Sequence, residues 1–166
     1  MADLSSNFKM PITPVKAMIV DLESLESLSL QFNPPVLQLN AESEFVAVGS
    51  MGRNNPIYYF TGAEDTLEFN ISWVSNIENR TDVITKVKWL ESLTKNDGYT
   101  GRVRRVKFIY GQLFTEAIWV LVAAPYTLEL MHAQYGMMPT LSRQTLRLKR
   151  ITAENATRKQ ILDIYS

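Results

Sequence analysis

The chain has 166 residues, is 46% hydrophobic and 20% charged, and sets 17 basic side chains against 17 acidic ones. That length suits one domain with a core of its own, the composition argues against disorder, and a net charge of zero supplies no overall field to attract nucleic acid or an anionic membrane. With no cysteine present, disulfides, thiolate zinc sites and cysteine nucleophiles are excluded.

The first nine residues, ending at Phe8-Lys9, lack the apolar run of a signal peptide. The longest apolar run, Ala117-Ile118-Trp119-Val120-Leu121-Val122-Ala123-Ala124, is too short for a membrane helix. A cytoplasmic site of synthesis is expected, and Asn-x-Ser/Thr triplets at Asn70, Asn79 and Asn155 then read as chance matches. Residues 1–13 are polar, aperiodic and carry Pro11, which predicts a flexible arm. Residues 14–151 are expected to form one β-domain and 152–166 a helical tail.

Strand signals dominate the domain. Lys16-Ala17-Met18-Ile19-Val20-Asp21-Leu22 and Leu28-Ser29-Leu30-Gln31-Phe32 alternate, with a polar turn between them and Asn33-Pro34-Pro35 as a stop. Two further short strands are expected at 36–39 and 45–48, followed by a loop over 49–55. Residues 67–73 place apolar side chains at every odd position, the pattern of a half-buried antiparallel strand.

One internal helix begins near Thr81 or Asp82, either of which can accept a first-turn amide, and ends at Asn96-Asp97-Gly98. Its stripe is Val83, Val87, Leu90 and Thr94, with Leu93 beside it. Strands resume at 103–110. The run from 117 to 124, apolar on both faces, predicts a central strand covered on both sides. Further strands are expected at 126–130 and 140–151, the last with Leu146 and Leu148 facing one way and Arg143, Arg147 and Lys149 the other. The aromatics Tyr58, Tyr59, Phe60, Phe69, Trp73, Phe108, Tyr110 and Trp119 are read as core. The order strands, helix, strands predicts a mainly β fold, a sandwich or barrel flanked by one helix.

Catalytic signatures are missing. His132 is the lone histidine, and no Gly-x-Ser-x-Gly elbow accompanies it. The carboxylate pairs Glu42 with Glu44 and Glu64 with Asp65 fall in polar segments and read as solvated surface. No glycine-rich phosphate loop occurs. The expectation is therefore a protein without catalytic residues, metal or cofactor. Two basic clusters, Arg102, Arg104, Arg105 and Lys107, and Arg143, Arg147, Lys149 and Arg150, lack interleaved aromatics in the second case. They fit a solvated face or an intersubunit salt-bridge surface better than a nucleic-acid grip.

The order of several short motifs resembles the tube-initiating baseplate proteins of contractile injection systems and contractile-tailed phages. Lys16-Ala17-Met18-Ile19-Val20 leads to Leu30-Gln31-Phe32-Asn33-Pro34, then to the alternating strand at 67–73 and a helix over Asp82-Val83-Ile84-Thr85-Lys86-Val87-Lys88-Trp89-Leu90. Phe108-Ile109-Tyr110-Gly111, the turn Tyr135-Gly136-Met137-Met138-Pro139 and an arginine-bearing last strand follow in the same order. The similarity runs over about residues 16–151 and does not include the LysM module that many relatives carry after the β-domain.

The resemblance implies a tail-tube-like fold of two packed antiparallel sheets with a helix at the side. It also implies a virion protein, assembled in the host cytoplasm, that forms a ring of six between the hub and spike and the tail tube. Its partners would be itself, the hub or spike proteins and the tube protein, with DNA passing nearby without sequence-specific binding and no membrane contact. Alternatives are a tube terminator or other tail ring, a cell-wall-binding or peptidoglycan-active baseplate component, and a nucleic-acid-binding barrel. Interface residues are expected at Phe45, Val46, Val48, Met51 and Arg53 between rings, at Met137 and Met138 in an adaptable turn, and at Arg143, Arg147 and Lys149 on a subunit boundary or lumen. Ile161, Leu162 and Tyr165 of the tail are expected to dock on a neighbouring subunit or hub protein, with the chain's own β-domain as the alternative seat.

Overall fold

The order of elements in the computed structural model is β1 (Met18–Asp21), β2 (Ser27–Ser29), β3 (Gln38–Val48), β4 (Ile57–Val74), α1 (Thr81–Leu93), β5 (Val106–Ile109), β6 (Ile118–Ala123), β7 (Tyr126–His132) and β8 (Met138–Ile151). The structure describes residues 15–49, 55–75, 81–95, 103–114, 116–133 and 136–151. The expected arm, Met51 and Arg53 of the loop, and the tail with Ile161, Leu162 and Tyr165 lie outside the described residues.

Among the described residues the fold is mainly β with one flanking helix, as the order of elements predicts. The strands join in one hydrogen-bonded sheet, in the order β2-β1-β5-β6-β8-β4-β3, where the resemblance implied two. Every pairing is antiparallel. The reason is the length of β8, whose 14 residues pair β4 along one edge and, on the other, β6 near Ile151 and β7 near Met138. β6 and β7 are thus one line of chain broken at Ala124-Pro125, where proline interrupts the ladder. Thr145 N–H still reaches Pro125 O at 3.0 Å, and the Gln144 amide donates to Ala124 O at 3.1 Å.

The sheet curls on itself. β4 and β5 are separated by β6 and β8, which in a flat sheet would put them roughly 14 Å apart. Yet Phe69 and Phe108 stack with centroids 4.6 Å apart, so their strands face each other across the core. The core comes from alternate residues of β1, β4, β5, β6 and β8: Ile19, Leu67, Phe69, Ile71, Trp73, Val106, Phe108, Trp119, Leu121, Leu146 and Leu148, with Leu30 and Phe114. Burying apolar surface at about 25 cal/mol per Å² makes this cluster the main source of stability.

Helix α1 closes the cluster with Val83, Val87, Leu90 and Leu93, the stripe the sequence predicts with Leu93 in place of Thr94. The Lys86 ammonium lies 5.3 Å from the centre of the Trp73 ring and pairs with Asp82 one turn before it. Trp89 donates its indole N–H to Glu26 at 2.9 Å, tying the helix to the β1–β2 turn.

Polar side chains finish the edges. Asp21, fully buried, accepts from Glu23 N–H at 3.0 Å, Ser24 Oγ at 2.9 Å and Arg104 at 2.8 Å, fixing the turn. The Asn33 amide accepts from Ala17 N–H at 2.9 Å and donates to Val15 O at 2.7 Å, standing in for a neighbouring strand ahead of β1. This gives the Phe32-Asn33-Pro34 element a structural task.

Three expectations are corrected. Residues 36–39 and 45–48 are not two strands: β3 runs unbroken from Gln38 to Val48. Tyr58, Tyr59 and Phe60 are exposed, because β4 continues beyond the body of the sheet at their positions. The outer face of β6 is uncovered among the described residues, with Val122 53% exposed.

Candidate assembly surface

β3 and β4 pair over Val48↔Ile57 to Gln38↔Glu68, whereas β8 accompanies β4 only from Thr66 onward. Residues 41–48 and 57–65 therefore leave the sheet as a two-stranded ribbon. In an antiparallel ladder directly opposed residues share a face. The register puts Phe45, Ala47, Tyr58 and Phe60 on one face and Val46, Val48, Ile57 and Tyr59 on the other. The ribbon's end is apolar on both sides, and each of its large side chains other than Ile57 is exposed. Phe45 and Phe60 meet edge to face at 5.6 Å.

A register shift between Glu44 and Phe45 turns the ribbon relative to its base. The extra residue is Thr61, whose hydroxyl donates to Glu44 O at 3.1 Å. The base itself carries Glu42, Glu44 and Glu64 and is solvated.

The basic residues of β8 lie on the outer face, as the alternation predicts, but their charges are met within the chain. Arg147 pairs with Glu68 opposite it at 2.9 Å, Lys149 with Glu64, and Arg143 with Glu129 at 3.8 Å. Thr145 donates to Asn70 at 2.7 Å in the same ladder. Arg150 points inward to Asp65 at 3.2 Å, beside a cavity of about 70 Å³ that Trp119, Phe114 and Leu39 also line. Of the first basic cluster, Arg104 is taken by Asp21.

Met137 is exposed in the β7–β8 turn with a φ of 59°, following Gly136 at 69°, and its N–H closes the turn on His132 O at 3.1 Å. Met138 is half-buried in β8 opposite His132. This turn and the Lys149 end of β8 are separated by roughly 35 Å of strand. The expected interface residues thus fall at two ends of the domain. Phe45, Val46, Val48 and the Lys149 end of the ladder lie toward the ribbon, and Met137 and Met138 lie away from it.

Of the carboxylates considered for acid–base chemistry, Glu64 and Asp65 each hold a separate cation, and Glu42 stands directly opposite Glu64 on the solvated ribbon. His132 is exposed at the end of β7. No group of three or more metal-ligating side chains occurs among the described residues. Sequence reasoning missed Ile57, Tyr58, Tyr59 and Phe60 as surface. Their signal was four consecutive large apolar residues directly after the loop, which reads equally well as core.

No protein family is matched by the sequence, and no curated protein matches it. Solved structures to which the chain is similar include two particles. One is a chain of the virion of a native gene transfer agent particle, 11% identical, covering 83% of this chain and 92% of that one with a TM-score of 0.42. The other is a chain of the six-fold symmetrised baseplate of the anti-feeding prophage, 13% identical, covering 86% and 93% with a TM-score of 0.33.

Proposed function

We propose that the chain is a non-enzymatic structural subunit of a contractile-tail baseplate. In this reading copies of it form a ring, of six subunits, that joins the hub and spike to the tail tube and starts tube assembly. The observation that carries the reading is the ribbon, apolar on both faces and exposed on both. A lone two-stranded hairpin is at best marginally stable in water, and apolar residues on both of its faces call for cover on both. A ribbon inserted between two subunits meets that need, and pairing of the outer edge of β3, which has no strand beside it among the described residues, with a neighbour would satisfy its amides. The Met137 turn at the far end of β8 offers a second contact, as a subunit held between two different layers requires. The motif order from Lys16 to Lys149 adds the choice of a tail ring among assembling proteins.

The test is reconstitution. The full chain, purified alone and then mixed with the tube protein of the same particle, is examined by light scattering and negative-stain microscopy. Closed rings that nucleate tube, lost on Phe45→Glu with Tyr59→Glu, are the expected result. A chain that stays monomeric in both conditions and is missing from purified particles overturns the reading.

A further inference from the structure

β6 is apolar on both faces and sits between β5 and β8, well inside the sheet. A strand of this kind is ordinarily covered twice. Trp119 and Leu121 are buried at 2% exposure on the inner face, but Val122 is open on the outer face and Ile118 and Val120 are only half-buried. With exposed Val103 and Ile151, Val120 and Val122 border a shallow groove of about 360 Å³.

The route of the chain supplies an occupant. Ile151 pairs with Ile118 at the groove's edge, and from there fifteen residues follow, 152–166. Ile161, Leu162, Ile164 and Tyr165 are gathered at their far end. The outer face of β6 is roughly 13 Å long from Ile118 to Val122 at a strand's rise. Ten residue steps separate Ile151 from Ile161, enough chain to span that length in helical or extended form. Charge agrees. Stepping from the pair Val106↔Trp119 sets the exposed Arg105 opposite Val120, while Lys149, its charge already shared with Glu64, flanks Val120 on the other side. The only charged side chain in 160–166 is Asp163.

We infer that the outer face of β6 is the seat of the tail of the same chain, with the apolar cluster at 161–165 lying on Val120 and Val122. This places the tail on its own β-domain, in place of the partner surface expected from the sequence. A tethered segment starting at the groove's edge has an effective concentration of about millimolar, above that of any copy in dilute solution. The inference is independent of the proposed ring.

A chain without cysteine makes the test direct. In the full-length protein Val122→Cys is combined in turn with Ile161→Cys, Leu162→Cys and Ile164→Cys, and mild oxidation is followed on non-reducing gels and by mass. At least one pair closes within a single chain, while Met137→Cys with the same tail positions does not. Cross-links only between chains, none at Val122, or equal cross-linking at Met137 each overturn the assignment. Separately, Ile161→Ser with Leu162→Ser in the full chain lowers Tm by about 3 °C or more, the scale of a modest apolar contact in a chain of this size. An unchanged Tm also overturns it.

Discussion

The side-chain amide of Gln31 makes both backbone hydrogen bonds of Val74, donating to its carbonyl at 2.9 Å and accepting from its N–H at 2.8 Å. It acts as a one-residue strand, joining the chain that leaves β2 to the end of β4 where β3 no longer pairs. The curled sheet is fastened there by a side chain.

Gln31→Ala should therefore cost about 1–2 kcal/mol, two ordinary net hydrogen bonds. Gln31→Glu keeps the acceptor for Val74 N–H but sets a carboxylate against Val74 O, so it should not rescue the loss. Urea unfolding of the two variants beside the parent checks both statements.

The Asp21 carboxylate holds a larger share of stability. Asp21→Ala removes the acceptor for Glu23 N–H, Ser24 Oγ and Arg104 at once, at a carboxylate that is itself fully buried. A loss of about 3 kcal/mol is expected, with Asp21→Asn intermediate. The β1–β2 turn also fixes Glu26 against Trp89, so the loss should appear in Trp fluorescence before global unfolding.

Lys149, Arg147 and Arg143 should be weak as individuals. Each is an exposed cation paired across strands, so Arg147→Glu is expected to cost no more than about 1 kcal/mol, and less at high salt. Exchanging the pair, Arg147→Glu with Glu68→Arg, should recover most of it. A double-mutant cycle at two ionic strengths measures the coupling; a large value insensitive to salt would contradict a solvated ladder.

The two faces of the ribbon can be separated. Phe45→Glu with Phe60→Glu alters one face, and Val46→Glu with Tyr59→Glu the other. Neither pair touches the core, so the monomer's Tm should move by no more than about 2 °C while assembly fails in each case. Loss from one face alone would mean that only that face is covered in the particle.

Much of the domain was legible in sequence because its signals are local. The alternation at 67–73, the stripe of Val83, Val87 and Leu90, and the division of β8 into Leu146 and Leu148 against Arg147 and Lys149 all record which side of an element meets the core. The ribbon has no such division: residues 41–48 and 57–65 face solvent on both sides, so period-two patterning had nothing to mark. Tyr58, Tyr59 and Phe60 read as core because the partner-covered surface proposed for them and a protein interior would ask for the same side chains. The fastening of Val74 by Gln31 spans 43 residues and leaves no trace in either neighbourhood. Nor could the count of sheets be read, since it depends on β8 bordering three strands.

That position of β8 has a consequence for biosynthesis. Until it has been made, β4 lacks a neighbour along the edge where Leu67, Phe69, Ile71 and Trp73 are brought into the core, and β6 and β7 have no common partner. At about 5–20 residues per second a ribosome takes roughly 4–15 s to travel from Val74 to Ile151. Through that interval the nascent chain carries an unfinished apolar face, and holding it off other chains becomes the work of chaperones or of the ribosome surface.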